Sequence, residues 1–271
     1  MRLIAKARMN LLHFRAMTKR YISIILSDKL SLLTLILQAP LMLLIIFLTC
    51  SKEFTYFDAM MTLFVIVTVA ITMAILNSYR EVCKEREILK REYDAGLDSI
   101  SYIMSKITVQ SIICLLQTII IVSGVLAFIN FNFTEDRMVF QILLFYVIIF
   151  LTYLAATSFG ILISSVLKSS ESAVLPVLFI IISQVVLSGA LMDLPKNIEW
   201  LSSITIAKWS LGALGEVFDI RGLAQNYQFG PQPLRAIYET PFAAGICVLI
   251  GIIVICCILS ILSIKRNVYR K

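Results

Sequence analysis

Few side chains in this sequence can do covalent chemistry, and they lie far apart. There is one histidine, His13, and six cysteines, at Cys50, Cys83, Cys114, Cys247, Cys256 and Cys257. His13 falls in a basic, amphipathic stretch and reads as an interfacial residue rather than a ligand. All the cysteines but Cys83 lie in or at the edges of apolar runs, with no metal-ligand spacing, so they read as small buried hydrophobes. No G-x-x-x-x-G-K-[ST] is present to cradle a nucleotide phosphate. There is no H-E-x-x-H, and one histidine cannot supply its two. No G-x-S-x-G elbow occurs either. A membrane enzyme is therefore a distant reading, for want of a nucleophile and base or a metal set.

What remains is ionic rather than covalent. From Asn77 to Lys106 the chain reads NSYREVCKEREILKREYDAGLDSISYIMSK. Arg80, Lys84, Arg86, Lys90 and Arg91 alternate with Glu81, Glu85, Glu87 and Glu92. Glu87 precedes Arg91 by four residues, the favourable order for a helical ion pair. Val82, Leu89, Tyr93 and Leu97 recur at helical spacing and give a charged helix one apolar stripe. Gly96 can end that helix, and Asp98 or Ser99 can cap the next. The pattern predicts a charged helix, an elbow and re-entry into an apolar run. Such a segment can dock a soluble partner, or it can be a solvated basic loop held by the positive-inside rule.

The elements that position this segment are apolar helices. Hydrophobic residues make up 59% of the chain and mean hydropathy is +0.92. A soluble domain is nearer half apolar, so the composition predicts a membrane protein. Residues 1–29 carry seven basic side chains against Asp28 alone, with Leu11, Leu12, Phe14, Tyr21, Ile22, Ile25 and Leu26 as the apolar side. This predicts an amphipathic helix along the membrane surface, not a cleaved signal. Residues 30–271 form the transmembrane domain, with the charged segment at 78–101. Span one covers about Leu30–Cys50 with Pro40 inside, and span two about Phe57–Asn77. Span three covers about Tyr102–Ile129 with Gln110 and Gln117 inside. Span four is about Met138–Leu167; its Ala155, Ala156, Thr157, Ser158 and Gly160 allow close helix approach. Span five is about Ala173–Met192, and span six about Phe242–Ile264. Between them, residues 193–241 hold proline, glycine and two tryptophans but no clean span, predicting short re-entrant or surface helices.

Lysine and arginine placement orients the bundle. With both termini in the cytoplasm, about eighteen basic residues fall inside and about six outside. The segment at 193–241 is then external. The net charge of +7 collects at span ends, which is no nucleic-acid footprint. The spans hold almost no ionisable groups, so a proton relay has little support. Energy is expected to arrive mechanically at the charged segment from another subunit.

Several strings have a familiar order. Asn77-x-x-Arg80-Glu81, Glu85-Arg86-Glu87, Arg91-Glu92-Tyr93-x-x-Gly96-Leu97 and Ser101-Tyr102-x-x-Ser105-Lys106 resemble the second-to-third-span segment of ATP-binding-cassette exporter permeases. The match is to type 2 exporters of the G-subfamily kind, including bacterial stand-alone transmembrane subunits, and Gln117 fits it. Thr18-Lys19-Arg20-Tyr21 through Asp28-Lys29, then Gln38-Ala39-Pro40, resembles their connecting helix and first span. Ser169-Ser170-Glu171-x-Ala173-x-x-Pro176, then Gln184 and Leu187-Ser188-Gly189, resembles the turn into the fifth span and that span. Trp200-Leu201 through Trp209 and Gly212 to Glu216 resembles the re-entrant region before the last span. The chain departs in lacking a fused nucleotide-binding domain and external cysteines.

The resemblance implies an all-α permease of six transmembrane helices in the inner (cytoplasmic) membrane, paired with a second permease chain. The pair is a homo- or heterodimer. It implies a separate ABC ATPase subunit that binds ATP and Mg, leaving this chain without a cofactor. Glu85, Arg86, Glu87, Arg91, Glu92, Tyr93 and Gly96 are the expected ATPase-coupling residues, some of which must instead pair with Lys19 or Arg20. The cargo route is expected between spans two and five of the two chains. Phe64, Thr68 and Thr72 share one helix face there, and Ile180, Ser183 and Leu187 another, with Gln184 beside them. Ordinary helix packing with satisfied hydroxyls is the plain alternative for each of these. A stricture near Val186 and Leu187 is the expected gate. These walls suit an apolar or amphipathic cargo such as a drug, lipid or peptide-like molecule. A polysaccharide or glycolipid exporter, and a scaffold or sensor that does not transport, are the alternatives.

Overall fold

The computed structural model describes residues 11–131, 133, 137–167, 169, 171–190, 195, 197, 199–227 and 236–269. Within these ranges the side chains of Tyr93, Glu199, Ala236, Asn267, Val268 and Tyr269 are outside the description. The helices in chain order are α1 (Leu11–Ser27), α2 (Lys29–Thr49), α3 (Tyr56–Ser78), α4 (Arg86–Asp94), α5 (Ser99–Phe128) and α6 (Met138–Val166). They continue as α7 (Val174–Val186), α8 (Glu199–Ser202), α9 (Ile206–Val217), α10 (Ile220–Gln225) and α11 (Phe242–Tyr269). Ser170 and Met192, named above, lie outside the described residues, as do Arg2, Lys6 and Arg8 of the basic N-terminal stretch and Gly230, Pro231 and Pro233 of the 193–241 segment.

Helix starts follow from local chemistry. The Asp28 carboxylate accepts from Ser31 N at 3.2 Å and from Ser31 Oγ at 2.6 Å, capping α2 immediately after α1 ends. Those bonds hold its carboxyl below the ordinary aspartate range. Asp98 caps α5 by accepting from Ile100 N and Ser101 N. Gly96, at φ +98°, ends the α4 turn, and Leu97 N bonds Glu92 O at 2.9 Å. That is the left-handed closure glycine permits.

α2, α3, α5, α6 and α11 are each long and apolar enough to cross a membrane. Their bounds fall within a few residues of those expected from hydropathy. α7 is the exception: it has 13 residues, about 20 Å of helix, short of an apolar core about 30 Å thick. The expected span to Met192 is cut short because the chain turns at Leu187. Ser188 Oγ donates to Val185 O, Ala190 N donates to Ser188 Oγ, and Gly189 adopts φ +77°.

α3 and α6 form the centre, with α11 and α9 packed on α6 and α7 on α3. Small residues set the approach. Ala155, Ala156, Thr157 and Ser158 are buried, and a Cβ at Gly160 would meet Ser78 Oγ at 2.0 Å. This is the close helix contact the small-residue cluster predicted. α9 is almost wholly buried, and Gly245 on α11 lies against its Trp209 carbonyl. Glu216 on α9 accepts from Phe242 N at 2.6 Å and so caps the start of α11.

The two ends of the bundle differ. At one, Phe218 after α9 meets Phe54, Phe131 and Phe145 with ring centroids 5.5, 4.9 and 5.1 Å away. This aromatic knot ties α9 to the α2–α3 and α5–α6 connections, where Asn130 N bonds Lys52 O at 3.0 Å. At the other end sit α1, the charged segment and the last turns of α6 and α11.

Candidate coupling site and pathway

The charged segment is less helical than its pattern predicts. The expected single helix from Arg80 to Tyr93 is replaced by turns from Tyr79 to Val82, one 3₁₀ turn at Cys83–Glu85, and then α4. The cause is Ser164 on α6. Its hydroxyl accepts from both Val82 N and Cys83 N, at 2.9 and 3.0 Å, drawing those donors out of a helical ladder. The apolar stripe survives the break. Val82, Leu89 and Leu97 are buried in a second cluster with Tyr102, Ile103, Ile107, Ile161 and Ile264. The elbow thus packs on α5, α6 and the end of α11.

Beneath the elbow lies a buried ionic clasp. Lys106 on α5 is 1% exposed, and its Nζ reaches Glu85 Oε1 at 2.7 Å and Glu81 Oε2 at 3.5 Å. Tyr102, one turn earlier on α5, donates to Glu85 Oε2 at 2.9 Å. Tyr21 on α1 donates to Glu81 Oε2 and lays its ring 3.7 Å from Lys106 Nζ. Burial, then the neighbouring Glu81 charge, pushes the Tyr21 hydroxyl well above the usual tyrosine range, so it stays a donor. Gln110 Nε2 donates to Asn77 O at 3.2 Å. Lys84 Nζ supplies the second cation, 2.5 Å from Glu81 Oε1. Lys106 is buried with the two carboxylates, and the exposed Lys84 brings the second positive charge from the solvent side, so the buried acids are balanced.

The structure divides the expected coupling residues. Glu85 is buried in the clasp. Arg86 donates to the Leu167 carbonyl at 2.6 Å, fastening α4 to the end of α6. Glu92 pairs with Arg20 of α1, the partnership foreseen between this segment and the N-terminal helix. Glu87 and Arg91 face solvent; Glu87 pairs with Lys90 at 3.6 Å rather than with Arg91. Gly96 has open space around it. The Tyr93 side chain is outside the described residues. Sequence reading left Glu81, Tyr102 and Lys106 out of the expected coupling residues and put Tyr21 on the apolar side of the N-terminal helix. The available signal was a lysine inside an apolar run, one turn beyond a tyrosine, behind a segment rich in carboxylates.

The expected pathway residues are only partly brought together. Thr68 and Thr72 on α3 meet Gln184 and Ile181 on α7 and Ala207 on α9 along a narrow seam with no room for a water. Gln184 Oε1 accepts from Ile206 N at 2.8 Å, so it caps the approach to α9. Phe64 and Ile180 pack half-buried on the core. Ser183 Oγ bonds its own helix at Phe179 O, and Leu187 stands half-buried at the end of α7. Along α7, Leu175, Phe179 and Ile182 point outward, 78, 72 and 59% exposed.

Among the described residues no group of histidine, cysteine and acid could hold a metal ion. Bundle and site together define a multi-pass helical membrane protein whose charged elbow is clasped to its own spans. The chain belongs to the ABC-2 type transporter family, whose model matches residues 12–218. It is an ABC transporter permease domain. Over 156 residues it is 26% identical to the ABC transporter ATP-binding/permease protein Rv1747 of Mycobacterium tuberculosis, covering 56% of this chain. The chain spans 18% of that relative's length.

Proposed function

We propose that this chain is the membrane subunit of an ATP-driven exporter, energised by a separate ATPase that docks on the α4 elbow. The observation that carries the reading is the sorting of charge on that elbow. Glu85, Arg86 and Glu92 are spent on fastening it to α5, α6 and α1, while Glu87 and Arg91 remain turned outward. A lever must be rigid toward the bundle and legible toward its motor; exposed charges give a docked partner pairing specificity. The ATP-binding/permease name of the relative supports the same reading. The docking end is then cytoplasmic, with both termini on that side, and ATP and Mg belong to the partner.

Two copies would enclose the cargo route, facing each other through the outward apolar side of α7 and the adjoining α3. The α7 helix completes its crossing with the turn that follows, giving six crossings per chain. The seam between Thr68, Thr72 and Gln184 has no room for a water in the single chain, which supports a route between copies rather than within one. Walls of this kind suit an apolar or amphipathic cargo.

The test is Glu87→Lys in vesicles containing this chain and its ATPase. Glu87 makes only an exposed pair, so insertion and folding should stay at wild-type levels. ATP-dependent export should fall several-fold relative to ATP hydrolysis. Unchanged coupling would remove Glu87 from the docking surface.

A further inference from the structure

α1 has two faces with different fates. Its inner face, with Met17 and Tyr21, packs on α5 and the elbow. Its outer face is an open groove walled by Phe14, Ile22 and Leu26, with Arg15, Thr18, Lys19 and Ser23 among them. Arg15 and Lys19 stand one turn apart and exposed in the middle of it. The ion pairs among the described residues use Arg20, Lys84, Lys90 and Lys106 as their cations; Arg15 and Lys19 enter none. Leu12 lies before this pair and Leu26 after it, 75 and 59% exposed. The helix passes through Asp28 straight into α2, whose first turns present Leu30 and Leu33, 73 and 52% exposed, to the bilayer.

We propose that this outer face binds an anionic phospholipid. The phosphate sits between the Arg15 guanidinium and the Lys19 ammonium, and an acyl chain lies along Ile22 and Leu26 toward α2. The charge selects the headgroup: two cations without a carboxylate complement one phosphodiester, and they gain less from a zwitterion, whose own ammonium offsets its phosphate. The apolar floor selects a lipid over an acidic protein surface, because Ile22 and Leu26 continue into the bilayer-facing row of α2. Each such cation near an anionic headgroup is worth about a five- to six-fold preference, so the pair should give about thirty-fold. The proposal does not depend on the docking of an ATPase or on the direction of transport.

The experiment is native mass spectrometry of the full chain released from micelles holding equal phosphatidylglycerol and phosphatidylcholine. Phosphatidylglycerol adducts should exceed phosphatidylcholine adducts by about thirty-fold at low salt and by much less at high salt. Arg15→Gln with Lys19→Gln should bring the ratio close to one, with an unchanged size-exclusion profile because both side chains are exposed. Exchanging the two cations, Arg15→Lys with Lys19→Arg, should keep the preference, as should Lys208→Gln at the opposite end. A ratio near one in the unaltered chain would overturn the proposal. So would a double glutamine variant that keeps its lipid preference; if it also loses a co-purified ATPase, the face belongs to that protein instead.

Discussion

Removing the Lys106 ammonium should unseat the whole elbow. In Lys106→Met, two buried carboxylates lose the cation at 2.7 and 3.5 Å, and only Lys84 remains to balance them. Breaking a buried pair by deleting one partner costs about 3–5 kcal/mol, because a charge is left uncompensated in a poor solvent. Glu85→Gln should cost a similar amount by leaving Lys106 in surplus. The double variant, Lys106→Met with Glu85→Gln, restores neutrality around Glu81 and Lys84. It should therefore be more stable than the sum of the single losses predicts, by about 2 kcal/mol or more, the size of coupling seen between residues in direct contact. The assay is denaturant titration of the purified chain in bicelles, read by an environment-sensitive label on an exposed cysteine introduced into α4. Single variants within about 0.5 kcal/mol of the unaltered chain would refute the reasoning. So would strict additivity in the double variant.

Three other outcomes follow from the same structure. Gly160→Ala should destabilise the bundle by about 1–3 kcal/mol in the same titration, because its methyl would enter the space of Ser78 Oγ. Leu187→Ala, if Leu187 gates the route, should raise basal ATPase activity or vesicle leak; a fully unaltered phenotype would remove it from that role. The Asp28 cap should be insensitive to pH until well into the acid range. Its folded-state carboxyl is held low by Ser31, so its contribution is present above the unfolded value and lost only as pH falls through the lowered one. Amide exchange at the start of α2 should show that late loss, and Asp28→Asn should abolish the pH response.

The helices were legible where hydrophobicity is long-range and uniform. α2, α3, α5, α6 and α11 could be read from runs of apolar residues, and Asp98 and Gly96 from local capping rules. What escaped depends on residues far apart in sequence. Nothing local to Val82 announces that Ser164, 82 positions later, will unwind the chain there. The same holds for α7. Its apolar run continues past Val186, yet the chain turns there through Ser188 and Gly189, while Gln184 reaches across to cap Ile206. At the elbow, the sequence pattern showed one apolar stripe on a charged helix but did not sort the charges beside it. Only the packed structure separates Glu85 and Glu92, which hold the elbow, from Glu87 and Arg91, which face away from it. At the seam, the shared face of Thr68 and Thr72 on α3 was legible, but on α7 Ile181, Gln184 and Val185 line it rather than Ile180, Ser183 and Leu187, because that depends on how α7 and α9 sit on α3.

The most direct test of the account is a photo-crosslinker placed at Glu87 in the chain co-expressed with its ATPase. The account predicts a crosslinked species joining the two subunits, strong at Glu87 and absent when the same probe replaces Leu33 on the lipid-facing side of α2. A probe at Glu87 that captures no ATPase, or that reacts only with reagents added from the far side of the bilayer, would contradict it.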